Sequence, residues 1–291
     1  MNNRHAILIM AHGNWSLLER LMRFFDDESI DFYIHIDKKA KTFDRVGLEN
    51  CCSKSKVTFV KSRNVSWGTY DQIATELSLY KYASQAASYR YYHLISGVDV
   101  PLVSKRMFLV FFNNTDRNFI IADVEPQYDI RIQIHHNLFR RLLIPEKLRQ
   151  LLTRKANAIQ LRLGVDRLKK LKARFPLITK GHNWCSLTDD AVAEIVGKEE
   201  DIKKYFAHTH CADEMYKQIV LCNSALKDTL VNEDLREMDW SQWLPNPKVY
   251  TMSDYSRLIE AGKAGKMFAR KFDETSDIQV VDKIYDRLQK E

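Results

Sequence analysis

Two adjacent carboxylates, Asp213 and Glu214, stand where a polar stretch gives way to an apolar run with helical spacing. The run continues through Met215, Ile219 and Val220, which indicates a helix with one buried face. Asp213 suits the N-cap of that helix, and Glu214 would then occupy the first turn, where backbone dipoles favour an ionised carboxylate. A carboxylate held in this way could act as a general base. The alternative is that both acids only cap a surface helix.

A pair of cations, Arg270 and Lys271, stands between Phe268 and Phe272. The two rings would anchor the segment and leave both cations at one pocket edge, where they could neutralise a pyrophosphate. The sequence has no GxxxxGK[ST] loop, no GxGxxG loop and no Asp-x-Asp pair after a strand. A bound pyrophosphate would therefore depend on side-chain cations. The alternative is a solvated charge pair near the start of a helix.

Further candidates for nucleotide or sugar binding follow predicted strands. Asp37 could accept hydrogen bonds from a ribose or a base, although it could equally pair with Lys38 or Lys39. Asp99, in Ser-Gly-Val-Asp, is the nearest substitute for the missing acidic pair. The adjacent residues Asp239 and Trp240 suit a sugar, because the acid binds hydroxyl groups and the ring stacks on C–H faces.

Aromatic and metal-ligating candidates leave alternatives open. Trp67 and Trp184 could offer flat faces to a base or a sugar, but both residues could also belong to the core. His208, His210 and Cys211 are potential metal ligands with Asp213 nearby, yet neither HxxxH nor CxxC spacing is present. We therefore expect neither a metal nor another cofactor.

Composition limits the class of protein. The 291 residues are 45% hydrophobic and include only 9 Gly and 6 Pro, which suits one domain over residues 1–291 without long linkers. No apolar run is long enough to span a membrane, and the apolar part of Met1–Met10 is too short for a secretory signal. The five cysteines lack a disulfide spacing. We therefore expect a cytoplasmic protein.

Much of the net charge of +7 lies between Arg140 and Lys180, where only Glu146 and Asp166 oppose the cations. Nucleic acid, an anionic membrane and a phosphorylated small molecule are conceivable partners. The cations alternate with Leu and Ile and lack interleaved aromatics. This pattern favours a basic helical excursion, at about residues 138–178, that faces an anionic membrane or a lipid-linked acceptor rather than nucleic acid.

Hydrophobic patterning predicts an α/β fold. Apolar runs at His5–Ala11, Asp31–Asp37 and Val57–Val60 indicate buried strands, and Trp15–Phe25 indicates an amphipathic helix between the first two. In an open sheet of this kind ligands bind beyond the carboxyl ends of the strands, where His12 stands. We further expect helices at Thr69–Ala83, Met107–Phe112, Ala191–Val196 and from Ser253, and strands at Tyr91–Ile95, Asn118–Ala122, Gly181–Leu187 and Val249–Thr251.

In this order and spacing, a set of blocks resembles the core-2/I-branching glycosyltransferases of family 14. That family includes animal β-1,6-N-acetylglucosaminyltransferases and peptide O-xylosyltransferases. The animal members carry a membrane anchor and disulfides, which this sequence does not show, and the basic excursion has no counterpart. The matching blocks are Ala6–Asn14, Ile34–Asp37, Val65–Gly68, Tyr92–Pro101, Gly181–Trp184, Ala212–Ser224, Asp239-Trp240 and Phe268–Phe272.

The resemblance implies a GT-A-like fold, with an open, mostly parallel Rossmann-like sheet and helices on both faces. It also implies a UDP-sugar donor, inversion at the anomeric carbon and no required metal. Glu214 would be the base, and Arg270 and Lys271 would bind the pyrophosphate. We expect nucleotide contacts at Ala11, His12, Asp37 and Lys39, and sugar or acceptor contacts at Asp99, Asn183, Trp184, Asp239 and Trp240.

The expected reaction is a single in-line displacement in which one carboxylate deprotonates the acceptor hydroxyl. Arg270 and Lys271 would stabilise the charge that develops on UDP, as a metal does elsewhere. The expected donor sugar is GlcNAc, favoured over xylose, and the acceptor a glycan or a lipid-linked glycan in surface glycan or polysaccharide assembly. Alternatives are peptide O-xylosyltransferase-like activity, a nucleic-acid- or membrane-binding protein, and a non-catalytic relative, although the presence of Glu214 with both cations speaks against the last.

Overall fold

The computed structural model describes residues 3–41, 43–136, 138–139, 142–243 and 245–291. The predicted cations Arg140 and Arg141 lie outside the described residues. In chain order the strands are β1 (His5–Ala11), β2 (Ile30–Ile36), β3 (Val57–Phe59), β4 (Tyr91–Ser96), β5 (Val100–Pro101), β6 (Asn118–Phe119), β7 (Cys185–Thr188), β8 (Leu230–Val231), β9 (Arg236–Met238) and β10 (Phe268–Arg270).

The helices occupy most of the intervals between the strands. They are α1 (Trp15–Phe24), α2 (Arg45–Glu49), α3 (Tyr70–Ala86), α4 (Lys105–Asn113), α5 (Ile130–Gln133), α6 (Glu146–Arg162), α7 (Arg167–Arg174), α8 (Asp189–Gly197), α9 (Glu199–Phe206), α10 (Tyr216–Cys222), α11 (Tyr255–Lys263) and α12 (Ile278–Leu288). Short 3₁₀ turns lie at Pro126–Tyr128, Ala212–Glu214, Lys227–Thr229 and Met252–Asp254.

The main sheet is open and mostly parallel, as predicted. Within the described residues it has seven strands in the order β3-β2-β1-β4-β7-β6-β8. β1 is an interior strand, parallel to both neighbours, with Ile7 opposite Phe32 and His93. β7 is antiparallel to β4 and β6. β1 reads as one continuous apolar run because both of its faces are covered.

Alternate residues of β1 face opposite layers, which follows from the period of two in a strand. Ala6 and Leu8 pack in one buried cluster, with residues of α3, α8 and α10. Ile7 and Ile9 pack in the other, with α1 and α4. Helices therefore cover both faces of the sheet, which confirms the predicted α/β architecture.

A second sheet and a third cluster complete the carboxyl-terminal part of the fold. In the described residues the second sheet has three strands in the order β5-β10-β9. The predicted strand Val249–Thr251 is wrong, because these residues form neither a strand nor a helix. Tyr250 instead donates one backbone hydrogen bond to the carbonyl of Lys271, at 3.0 Å, and buries its ring against Phe272. The short strands β9 and β10 give no periodic signal and were not predicted as such.

The predicted strand Gly181–Leu187 begins four residues later than expected, at Cys185. Gly181–Trp184 is a loop because Gly181 packs directly on the backbone of the segment after β6. A Cβ atom at Gly181 would lie 1.8 Å from the carbonyl oxygen of Ile121. This close approach requires glycine.

The basic excursion is helical, as the sequence predicts, and comprises α6 and α7. α7 buries Leu168 and Leu171. α6 is attached differently: the side chain of Gln160 exchanges two hydrogen bonds with the backbone of His135, at 2.8 and 2.9 Å. Leu151 and Ile159, in contrast, are 49% and 57% exposed. None of the helices in the described residues is long and apolar enough to cross a membrane.

We predict that Gly181→Ala lowers the free energy of unfolding by about 1–3 kcal/mol, because the new methyl group collides with a carbonyl of the backbone. Urea denaturation of both proteins measures the change. Gly197→Ala is the matched control, since a Cβ atom at Gly197 meets nothing within 4 Å. Equal losses in both variants would contradict the prediction.

Candidate active site

A cleft of about 370 Å³ opens beyond the carboxyl ends of the parallel strands. His12 lines it after β1, Asp37 and Lys39 line it after β2, and Ser96 lines it at the end of β4. Parallel strands deliver their carboxyl ends to one edge of a sheet, so residues distant in sequence meet there. The cleft therefore lies where the sequence predicts a ligand site, beyond the carboxyl ends of the strands.

Glu214 and Arg270 both line this cleft. Asn183, Trp184 and Trp240 line it as well. The predicted partner cation Lys271 does not, although its charge, with that of Arg270, helps to lower the pKa of His12 below the ordinary value after the larger effect of burial. The structure therefore brings the predicted base and one of the two predicted cations to one cavity.

Glu214 lies in a 3₁₀ turn, not in the first turn of an α-helix, and this corrects the sequence prediction. The turn spans Ala212–Glu214 and begins after Cys211, which has a left-handed backbone with φ of 48°. The α-helix starts only at Tyr216. Asp213 is not its N-cap either, because the Asp213 carboxylate is buried and accepts a hydrogen bond from Gln72 Nε2, at 3.0 Å.

The Glu214 carboxylate is oriented by two cations from other parts of the chain. Arg131 Nη1 donates to Oε2 at 2.7 Å, and Lys180 Nζ approaches the same oxygen at 3.8 Å. Both cations also lie over the ring of Tyr128, at 4.6 and 4.5 Å from its centroid. Since both contacts run to Oε2, the other oxygen is available to a ligand in the cleft.

Burial, together with the nearby negative charges of Glu76 and Glu214, raises the pKa of Asp213 to about 7. The carboxyl group is only 6% exposed, so its charged form lacks hydration. Near neutral pH this group therefore changes charge beside Glu214.

An ion pair without solvent exposure lies behind Asp213. Lys217 Nζ donates to Glu76 Oε2 at 2.5 Å, and both side chains are 0% exposed. Asn183 joins the pair from the cleft wall: its Nδ2 donates to Glu76 Oε1 at 2.8 Å and its Oδ1 accepts from Lys217. The Asn183 amide is thereby tied at both ends to α3 and α10.

Arg270 is held in place by Asp99 and Trp184. Its guanidinium donates to Asp99 Oδ1 at 3.1 Å and to Ser96 Oγ, and lies 4.4 Å from the Trp184 ring centroid. The predicted contact of Asp99 with a sugar is corrected here, because this carboxylate is 0% exposed and does not reach the cleft. Its part is to hold the cation.

The predicted sugar contact of Asp239 is corrected for a similar reason. The Asp239 carboxylate is occupied by Arg257 Nη1 at 2.6 Å and by the backbone N–H of Ser241 at 2.8 Å. Asp239 does not line the cleft, whereas its neighbour Trp240 does. The acid thus fixes the turn that presents the ring.

Of the residues predicted to contact the nucleotide, Asp37 and Lys39 line the cleft and Ala11 does not. The Asp37 backbone N–H donates to the carbonyl of Ala11 at 2.9 Å, which links the ends of β1 and β2. Ala11 is 3% exposed, and its side chain does not line the cleft. Lys39 Nζ donates to the carbonyl of Val65 at 2.6 Å, so this cation stays at the cleft edge.

Four cleft or second-layer residues were missed: Gln72, Arg131, Lys180 and His182. Nothing in their local sequence marks them, because each acts through a partner far along the chain.

Of the candidate metal ligands considered from the sequence, His210 packs against Trp67, with 5.7 Å between the ring centroids. Among the described residues no group of three or more His, Cys, Asp or Glu side chains could hold a metal ion.

Comparison with known proteins identifies the family of this chain. The model of the core-2/I-branching enzyme family matches residues 6–259. The chain belongs to this family. It is also similar to xylosyltransferase 2 of Pan troglodytes, with 22% identity over 302 residues, which cover 96% of this chain and 33% of the relative. Xylosyltransferase 1 of Homo sapiens is 22% identical and is covered to 30%.

The chain spans about a third of the length of these curated relatives. Among solved structures it is similar to apo mouse xyloside xylosyltransferase 1, with a TM-score of 0.40 and 8% identity over 91% of this chain and 96% of that one. The resemblance stated from the sequence blocks is confirmed by the family match, which covers most of them.

We predict that Asp213→Asn changes the pH dependence of stability. The folded state keeps the Asp213 proton up to about pH 7, whereas a free Asp loses it near 3.8. Between these values the folded state binds more protons than the unfolded state, so wild-type stability falls as pH rises. Relative to the variant, the wild type should lose up to about 4 kcal/mol across this window and nothing more above it.

Urea denaturation of wild type and variant at a series of pH values between 4 and 8 measures this difference. The Asn side chain keeps an oxygen for Gln72 but carries no charge at any of these pH values. Parallel stability profiles for the two proteins would show that Asp213 does not titrate in this way.

Proposed function

We propose that the protein is an inverting, metal-independent glycosyltransferase that moves a sugar from a UDP-sugar to an acceptor hydroxyl. The observation that carries this proposal is the shared cleft of Glu214 and Arg270 at the carboxyl edge of the sheet. Such a transfer requires a carboxylate that deprotonates the acceptor and a fixed cation that stabilises the leaving group. Family membership supports the same reaction class.

In the proposed step the oxygen of the acceptor hydroxyl attacks the anomeric carbon. At the same time Glu214 Oε1 accepts the proton of that hydroxyl. The bond between the anomeric carbon and the β-phosphate oxygen breaks, and UDP leaves with the electron pair. Arg270, fixed by Asp99 and Trp184, neutralises the growing charge on the diphosphate. Lys271 does not line the cleft, but its charge acts on His12 at the cleft wall and would add to that of Arg270.

The nucleotide would bind beside His12 and Asp37, and Lys39 would reach the ribose or the diphosphate from the cleft edge. The Asp37 side chain is 12% exposed, which suits an acceptor for hydroxyl or base N–H groups. The donor sugar is proposed to be GlcNAc, which the sequence favoured, or xylose, the sugar named in the relatives. The acceptor is proposed to be a glycan, free or lipid-linked.

We predict that Glu214→Gln lowers the rate of transfer at least about 100-fold, because the amide cannot take up a proton. UDP affinity, measured by calorimetry, should stay within about twofold, since the side chain keeps its size. The rate is the release of UDP from a panel of UDP-sugars, measured both without and with EDTA.

Glu199→Gln is the matched control, since Glu199 forms an ion pair of the same length, 2.7 Å, with Lys81 and does not line the cleft. Full activity in the Glu214 variant would remove this residue from the mechanism. Activity that EDTA abolishes and Mn²⁺ restores would contradict metal independence. The UDP-sugar that releases UDP fastest identifies the donor.

A peripheral contact with an anionic membrane, at the cytoplasmic face, is the second part of the proposal. Leu148, Leu151 and Ile159 share one side of α6 by helical spacing and are 43%, 49% and 57% exposed. Lys155 lies between them on the same side, while Gln160 attaches the helix from another. Exposed aliphatic residues interleaved with cations are typical of helices that lie in a membrane interface.

We predict that the protein sediments with vesicles containing phosphatidylglycerol and not with vesicles of phosphatidylcholine alone. Replacing Leu151 and Ile159 together by Ser should release most of the bound protein, because it removes the apolar contact. Val46→Ser is the control, since Val46 is 64% exposed on α2. Equal binding to both kinds of vesicle, or binding to duplex DNA instead, would contradict the proposed contact.

A further inference from the structure

The loop Gly181–Trp184 runs along the cleft from the proposed base to the proposed diphosphate cation. At one end the Gly181 backbone N–H donates to the carbonyl of Glu214, at 2.9 Å. At the other end the Trp184 ring lies 4.4 Å from the Arg270 guanidinium. His182 therefore follows the residue that is hydrogen-bonded to the backbone of Glu214, and it lines the same cleft.

The His182 imidazole lines the cleft, and one of its nitrogens is already occupied. Nδ1 lies 2.6 Å from Asp234 Oδ2, and the Asp234 side chain is 2% exposed. The other carboxylate oxygen, Oδ1, accepts from the backbone N–H of Arg236 at 2.9 Å. The carboxylate thus receives a hydrogen bond on each oxygen, and a buried carboxylate of this kind is strongly held.

The charge of Asp234 decides the tautomer of His182. Burial alone would raise the pKa of Asp234, but the hydrogen bond from His182, together with the charge and the backbone N–H of Arg236, brings it below the ordinary value. An ionised carboxylate can only accept hydrogen bonds, so His182 Nδ1 must carry the ring proton. In the neutral ring Nε2 is then a hydrogen-bond acceptor, and it is the ring atom left for a ligand.

Trp240 stands next to this imidazole at the cleft wall. The two ring centroids are 6.3 Å apart, and Trp240 is 40% exposed. An indole face that covers C–H groups and a neighbouring acceptor that binds one hydroxyl suit a pyranose ring, which presents both. Gln218 Nε2 donates to the backbone carbonyl of His182 at 2.8 Å and so fixes the Gly181–Trp184 loop.

We propose that His182 determines acceptor specificity: its Nε2 accepts a hydrogen bond from a hydroxyl of a saccharide acceptor, and Asp234 is the residue that positions the ring. This inference rests on the proposed transferase function. It assigns the acceptor to the carbohydrates, because a pyranose offers both a second hydroxyl for Nε2 and C–H groups for the exposed face of Trp240.

Steady-state kinetics test the proposal with methyl β-galactoside, methyl β-glucoside, methyl α-mannoside and a serine-containing peptide as acceptors. With the glycoside that the wild type uses best, His182→Phe should raise the KM about tenfold, the loss expected for one hydrogen bond. The KM for the UDP-sugar should change less than twofold. His182→Gln should recover part of the loss, because the amide oxygen can accept a hydrogen bond.

Asp234→Asn should act in the same direction, since an amide that donates to Nδ1 would leave the proton on Nε2. Long-range ¹H–¹⁵N spectra read the tautomer directly: the wild type should show the Nδ1–H form and the variant the Nε2–H form. Addition of the glycoside should shift the Nε2 resonance of the wild type. His208→Phe is the control, because His208 is exposed and does not line the cleft.

Three results would overturn the proposal. They are an Nε2–H tautomer in the wild type, a rise in the KM for the UDP-sugar instead of the glycoside, and UDP release that the peptide stimulates but no glycoside does. If no UDP-sugar yields UDP at all, the transferase function fails. The tautomer and the glycoside-induced shift of the Nε2 resonance would still decide the role of His182.

Discussion

The ion pair between Lys217 and Glu76 is fully buried, and Asn183 of the cleft wall is hydrogen-bonded to both of its side chains. Both side chains are 0% exposed, and Asn183 and Tyr216 add hydrogen bonds that complete the coordination of the pair. A buried pair of this kind gains little net stability over an apolar one, but removing one partner costs about 3–5 kcal/mol. The pair therefore fixes geometry more than it adds stability, because α3, α10 and the Gly181–Trp184 loop meet there.

The charge around Glu214 follows from this arrangement. The buried pair holds α10 in place, and the 3₁₀ turn before α10 brings Asp213 into the interior and Glu214 to the cleft. Asp213 would repel Glu214 if both were ionised without compensation, and Arg131 and Lys180 supply that compensation. A base whose orientation comes from two separate segments depends on the packing of the whole region, including the 3₁₀ turn that carries Tyr128.

Several acidic residues that look functional in the sequence serve as supports in the structure. Asp99 holds Arg270, and Asp239 holds the turn at Trp240. Asp234, which the sequence did not mark, holds His182 in a similar way. All three carboxylates are buried; Arg270 and His182 line the cleft, whereas Asp239 acts by fixing the turn at Trp240. A buried carboxylate needs hydrogen bonds to offset lost hydration, and it satisfies that need by fixing a neighbouring donor. For Asp99 and Asp234, the side chain that can meet a ligand is therefore the hydrogen-bond donor, Arg270 or His182.

The sequence by itself determined the mostly parallel sheet, the order of its strands and helices as far as α4 except for the short α2 and β5, and the edge where the ligand site lies. Long apolar runs and amphipathic helices depend mainly on nearest-neighbour spacing, so β1 is predicted to the residue. Strands of two or three residues such as β9 and β10 carry no such signal.

Only the tertiary structure decided which side chains reach the cleft. The contacts that orient Glu214 and His182 join residues 83 and 52 positions apart, Arg131 with Glu214 and His182 with Asp234. Local spacing cannot specify such pairs, because they form only when separate elements pack on the sheet. Residue type therefore indicated the chemistry, while packing determined whether each acid became a ligand contact or a buried support.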